Sequence, residues 1–120
     1  MARVLIVDDT EIVRKALELA VKKMGHEAES ASDATRALEL ARAHPPDLAL
    51  LDYRMPGMDG VTLFGAMRAA LGSRCPKVLF VSATPPDEVR AKTMSEAVGY
   101  VKKPFHLDDL SKVVREALAA

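Results

Sequence analysis

Five side chains in this sequence could do chemistry together: Asp8, Asp9, Asp52, Ser82 and Lys103. Each lies at the end of a short apolar run. Asp8 and Asp9 follow Arg3–Val7, Asp52 follows Asp47–Leu51, Ser82 follows Lys77–Val81, and Lys103 follows Val98–Lys102. Three carboxylates gathered at neighbouring strand ends repel one another unless positive charge sits among them. The chain supplies one cation in the Lys103 ammonium, and the all-oxygen donor set suits a second in Mg²⁺. That ion takes one or two carboxylates and keeps several waters. A hydroxyl opposite a carboxylate, flanked by cations, can hold a phosphoryl group by its oxygens. The chemistry these residues spell is an acyl phosphate on an aspartate, with a carboxylate as nucleophile and a divalent cation offsetting charge.

Such residues need strands to position them, and the sequence supplies five. Arg3–Val7 is β-branched and apolar throughout, as a strand buried on both faces requires. His26–Ala31 is half polar and belongs nearer an edge. Residues 47–51, 77–81 and 98–102 complete the set, the last stopped by Pro104. Between them run helical patterns. Val13, Ala16, Leu17, Ala20, Val21 and Met24 share one face, and Gly25 stands where a helix is closed. Ser32 or Asp33 caps a helix carrying Ala34, Ala37, Leu38 and Ala41, which Pro45-Pro46 ends. Asp59 caps one with Leu63, Phe64, Met67 and Leu71 on its inner face. Thr84, the prolines 85 and 86, and the acids Asp87 and Glu88 mark another helix start. The last helix is expected to bury Leu107, Leu110, Val113, Val114, Ala117 and Leu118. Five strand–helix units make an α/β domain: a doubly wound, five-stranded parallel sheet with helices on both faces. Ligands in such folds bind at the carboxyl ends of the strands, where the five side chains lie.

Composition sets the bounds. One hundred and twenty residues are enough for one domain, 49% hydrophobic and 28% charged, as a globular chain should be. Seventeen basic and seventeen acidic residues balance, which argues against direct nucleic-acid binding and a polybasic membrane patch. One cysteine, Cys75, allows no internal disulfide. No apolar stretch approaches the ~20 residues of a membrane span, and the N-terminal run is too short for a signal peptide. A cytoplasmic domain over residues 1–120 is expected, with no membrane contact.

Four motifs in order carry a family resemblance: Val-Asp-Asp at 7–9, Leu-Leu-Asp-Tyr-Arg-Met-Pro-Gly-Met-Asp-Gly at 50–60, Val-Ser-Ala at 81–83, and Gly-Tyr-Val-Lys-Lys-Pro-Phe at 99–105. Together they resemble the receiver domains of two-component response regulators, along essentially the whole chain. The resemblance implies a flavodoxin-like sheet of order 2-1-3-4-5. It implies that Asp52 accepts phosphate from a histidine kinase or phosphotransfer protein. Mg²⁺ would be held by Asp9, Asp52 and the Arg54 carbonyl, with Asp8 acting through water. Lys103, not Lys102, would pair with the phosphoryl group, and Ser82 would hydrogen-bond it. Tyr100 stands at the family's switch aromatic, which turns inward as the hydroxyl moves to phosphate. The face built by the helix after Thr84, the fifth strand and the last helix would then change shape for a downstream protein. Such a domain is a signalling module that catalyses only its own phosphorylation and dephosphorylation.

Three positions depart from common family patterns. Arg54 brings a guanidinium beside the pocket, where it would contact phosphate or obstruct water and lengthen the life of phospho-Asp52. Thr84, short and in the same pocket, pulls the other way. Glu96 replaces a frequent glycine, so the preceding helix is expected to run longer. Val98-Gly99 replaces the acidic pair usual in transcription-factor receivers, which makes the last segment most similar to chemotaxis-type single-domain receivers. Taken alone, Asp8 and Asp9 are also helix caps, Ser82 a turn residue and Tyr100 a core residue. Pro56, Gly57 and Gly60 need only a tight loop, and His26, His44 and His106 belong to the surface. Two other functions compete: a receiver-fold adaptor that binds partners without phosphate, and a Mg²⁺-dependent aspartyl-phosphate phosphatase of the haloacid dehalogenase type. The first would have lost an acid or the lysine. The second needs its nucleophile on the first strand and a cap insertion for which there is no room.

Overall fold

The computed structural model describes residues 1–55, 57–85, 87–89 and 97–119. Five parallel strands, β1 (Arg3–Val7), β2 (Glu27–Ala31), β3 (Leu48–Leu51), β4 (Lys77–Ser82) and β5 (Gly99–Lys102), form one sheet of order β2-β1-β3-β4-β5. The helices are α1 (Glu11–Lys23), α2 (Ala34–Ala43), α3 (Gly60–Leu71) and α4 (Leu107–Ala119). Residues 87–89 are helical after Pro85, as the hydroxyl, proline and acid pattern predicts. The expected extension of that helix toward Glu96 lies outside the described residues.

Alternation along the strands divides the core in two. Leu5, Val7, Ala49, Leu51, Val78 and Phe80 point to one face and pack against Ala34, Ala37 and Ala41 of α2 and Leu63, Phe64, Met67 and Leu71 of α3. Val4, Ile6, Leu48, Leu50, Leu79 and Val81 point to the other, against Leu17, Ala20 and Val21 of α1 and Leu110, Val114 and Ala117 of α4. Successive strand residues face opposite ways, so a sheet covered on both sides must be apolar at every position. β2, with glutamates at 27 and 29, is an edge strand, as its polarity predicts.

The local signals act as expected at most ends. Asp33 accepts a hydrogen bond from the Arg36 amide at 2.8 Å, and Asp59 accepts one from Thr62 at 2.8 Å. Gly25, at φ +87°, follows α1 and donates from its amide to the Lys22 carbonyl. Two expectations change. Leu107 is 46% exposed, because it opens α4 before the helix has reached the sheet. His26 is half-buried, and its Nδ1 accepts from the Ala2 amide at 3.0 Å, which fixes the chain entering β1. His44 and His106 are exposed.

Candidate functional site

Register brings the acids together. Val7 pairs with Leu51 across β1 and β3, so the next residues, Asp8 and Asp52, leave the sheet side by side. The Asp52 amide donates to the Val7 carbonyl at 2.9 Å, extending the ladder one step beyond the strands. Asp8 is 1% exposed and Asp52 7% exposed, whereas Asp9 faces solvent. One carboxylate oxygen from each of Asp8, Asp9 and Asp52 lies within 4.8 Å of the other two.

Lys103 comes from the far side of the sheet. Its amide donates to the Ser82 carbonyl at 2.8 Å, continuing the β4–β5 pairing beyond Lys102. Its Nζ donates to Asp8 Oδ2 at 2.6 Å and lies 3.5 Å from Asp52 Oδ2. The ammonium therefore bridges two buried acids and favours Asp8. Burial pushes the Asp52 carboxyl up to about 6, a rise that Lys103 opposes and that Asp8 and Asp9 reinforce. Asp52 is thus ionised at neutral pH yet more basic than an ordinary carboxylate, which suits a nucleophile.

The first acid is fixed from three sides. Asp8 Oδ1 accepts from the Thr10 amide at 2.9 Å, and the Asp8 carbonyl accepts from Arg14 Nη1 at 2.8 Å. Lys103 is the third partner. Asp8 therefore shapes the turn into α1 without capping the helix, which begins at Glu11 with Thr10 as its uncapped N-cap residue.

Gly60 matters more than a loop residue would. A Cβ there would stand 2.2 Å from the Asp52 carbonyl oxygen and 3.0 Å from Phe80 Cε1. Its amide donates to the Tyr53 carbonyl at 2.7 Å. Close approach, and not an unusual φ, requires this glycine; Gly57, at φ +85°, is the one that fits the turn expectation. Pro56 lies outside the described residues.

The other candidates line the rim. Ser82 is buried, and its Oγ accepts from the Thr84 amide at 3.1 Å. Thr84 is also buried, and its Oγ1 accepts from Arg54 Nε at 3.3 Å. The Arg54 guanidinium is exposed, with its central carbon 5.6 Å from the Tyr53 ring centroid. Tyr100 is half-buried and stacks on Phe80 at 6.1 Å between centroids, with 12° between planes. Lys102 is exposed. Thr10, Arg14 and Gly60 are the participants that residue types alone did not single out. Arg14, six residues beyond Asp8 on the first turn of α1, carried a signal only in its spacing.

The acids offer only carboxylate oxygens as ligands, two of them sharing the Lys103 ammonium, and Asp9 faces solvent. These residues fit a hard divalent cation such as Mg²⁺. Among the described residues no helix is long and apolar enough to cross a membrane.

Comparison with known proteins points the same way. The chain matches the response regulator receiver domain over residues 4–115. It is 37% identical over 116 residues to the regulatory protein AtoC of Escherichia coli, covering 97% of this chain and 25% of that protein. It is 30% identical over 118 residues to the transcriptional regulatory protein KdpE of Mycobacterium tuberculosis, covering 98% of this chain and 51% of that protein. The chain thus spans between a quarter and about half the length of these curated relatives. Among solved structures, the chemotaxis protein CheY4 of Vibrio cholerae superposes with a TM-score of 0.90 at 28% identity, with 98% of each chain covered. A sequence match running from the first strand into the last helix, on a backbone shared this closely, makes the chain a member of the response regulator receiver domain family.

Proposed function

We propose that Asp52 is the phosphoacceptor of this receiver and that residues 1–120 act as one cytoplasmic switch. A carboxylate oxygen of Asp52 attacks the phosphorus of a phosphohistidine on a histidine kinase or phosphotransfer protein. The new O–P bond forms as the P–N bond breaks, and the imidazole nitrogen leaves with the electron pair. The observation that carries this reading is the buried Asp52 carboxylate clustered with Asp8, Asp9 and the Lys103 ammonium.

Asp9, Asp52 and the Arg54 carbonyl would hold Mg²⁺, with Asp8 beside them. When bound, the ion supplies positive charge for the transferring oxygens. Lys103, already between Asp8 and Asp52, turns to the phosphoryl group, and Ser82 Oγ donates its proton to a phosphoryl oxygen. Phosphorylation replaces the single carboxylate charge of Asp52 with a phosphoryl group carrying about 1.5 to 2 negative charges. Only contacts that differ between the two states can shift their balance, and Ser82 and Lys103 make them. The loop after β4 follows Ser82; Tyr100, already stacked on Phe80, turns further inward; and the face beside β5 and α4 changes for a downstream protein.

Intact mass after incubation with acetyl phosphate and Mg²⁺ tests the proposal. One added phosphate is expected, absent with EDTA and absent in Asp52→Ala. An adduct that survives Asp52→Ala would overturn it.

A further inference from the structure

The two loops that frame Asp52 are tied together by side chains. Arg54, two residues beyond Asp52, donates from Nε to Thr84 Oγ1 at 3.3 Å, and the Thr84 amide donates to Ser82 Oγ at 3.1 Å. The relay runs from the loop after β3, through the loop after β4, to the hydroxyl of Ser82 at the end of β4. Its two ends are not equally free. The Arg54 end is anchored, since the preceding Tyr53 carbonyl is held by the Gly60 amide at 2.7 Å and the guanidinium lies against the Tyr53 ring. The Thr84 end is buried, so its hydroxyl, once parted from Arg54, has no ready exchange with water.

We infer that Arg54 is a positioning residue that latches the switch in its unphosphorylated state, acting on Ser82 through Thr84. This rests on the phosphoacceptor reading above. Drawing Ser82 toward a phosphoryl group on Asp52 moves the 82–84 segment, because Ser82 and Thr84 are joined within it. Thr84 Oγ1 then leaves Arg54 Nε, and that loss opposes the shift. The chemical identity of residue 54 thus sets the threshold of the switch through its side chain, independently of its backbone carbonyl.

Titration of the whole chain with beryllofluoride and Mg²⁺, followed by the amide resonance of Thr84, measures the threshold. Arg54→Met keeps the stem and removes the donor, and Thr84→Val keeps the shape and removes the acceptor. Each is expected to bind beryllofluoride roughly three- to tenfold more tightly than the native chain, the value of one hydrogen bond. The double variant is expected to bind no more tightly than the better single one. A substitution that merely loosened the pocket would weaken binding. Unchanged or weaker binding in either single variant, or effects that add, overturns the latch. If the native chain binds no beryllofluoride, the phosphoacceptor reading fails by itself. The latch is then read without ligand, as faster Thr84 amide exchange in Arg54→Met, and unchanged exchange overturns it.

Discussion

Lys103 Nζ lies 2.6 Å from Asp8 Oδ2 and 3.5 Å from Asp52 Oδ2, so the lysine's tighter partner is the acid that does not accept phosphate in the proposed reaction. The ammonium sits between the two buried acids, where it neutralises part of an acid cluster that would otherwise be held together against its own repulsion. It also competes there with any divalent cation, since like charges at this range repel strongly in a partly buried site.

Lys103→Met is therefore expected to bind Mg²⁺ several-fold more tightly than the native chain while accepting less phosphate. The two readouts separate the lysine's repulsion of the metal from its service to the phosphoryl group. Calorimetry with Mg²⁺ and intact mass after acetyl phosphate check them. Weaker Mg²⁺ binding in the variant would contradict the first.

Stability should fall as pH rises through the Asp52 titration. The folded carboxyl is raised to about 6, above its value of about 3.9 in an unfolded chain, so the folded state holds the proton more tightly. Its contribution is full below the unfolded value and is lost as pH rises through about 6. Between pH 5 and 7.5 that is about 1.4 kcal/mol. Urea denaturation in EDTA checks this as the difference between the native chain and Asp52→Asn, which has no such titration. A difference that stays flat across the range would refute it.

Mg²⁺ binding should carry the opposite slope. The metal needs Asp52 ionised, so at pH 5 its affinity is expected to be about tenfold lower than at pH 7.5. Tyr53 and Tyr100 are the chain's two tyrosines and it has no tryptophan, so tyrosine emission, with Tyr53 next to Asp52, can follow the titration. Equal affinity at the two pH values would show either that Asp52 is not a ligand or that its carboxyl is not raised to about 6.

Gly60→Ala should cost about 3 kcal/mol, an overpacking penalty at the large end of the usual range. The added methyl meets the Asp52 carbonyl oxygen at 2.2 Å, and backbone cannot swing aside as a flexible side chain would. Urea denaturation measures the loss. Gly65→Ala, on the same helix with open space around its Cβ position, is the control and should be neutral or slightly stabilising.

Much of this was legible in the chain because it rests on period and position. The unbroken apolar runs of β1, β3 and β4 dictate two-sided burial, and acids directly after β1 and β3 must emerge together once those strands pair in register. The lysine before Pro104 arrives at the same end for the same reason. Other features depend on where side chains turn after folding, which no spacing encodes. Lys103 lies closer to Asp8 than to Asp52, a choice set by where its long stem turns. The link from Arg54 to Thr84 joins residues thirty positions apart through a long, flexible stem. The tightness at Gly60 follows from where Phe80 and the Asp52 carbonyl converge, and its φ gives no sign of it.

The ion pair between Asp8 and Lys103 joins residues separated by 95 positions. During synthesis from the N-terminus all three acids leave the ribosome well before the lysine does. Until then the nascent chain carries its acids without the lysine that pairs with them in the fold. A chain halted before its fifth strand would have Asp8, Asp9 and Asp52 without the internal counter-charge of Lys103. Lys103 is therefore the last of these four charged side chains to be made.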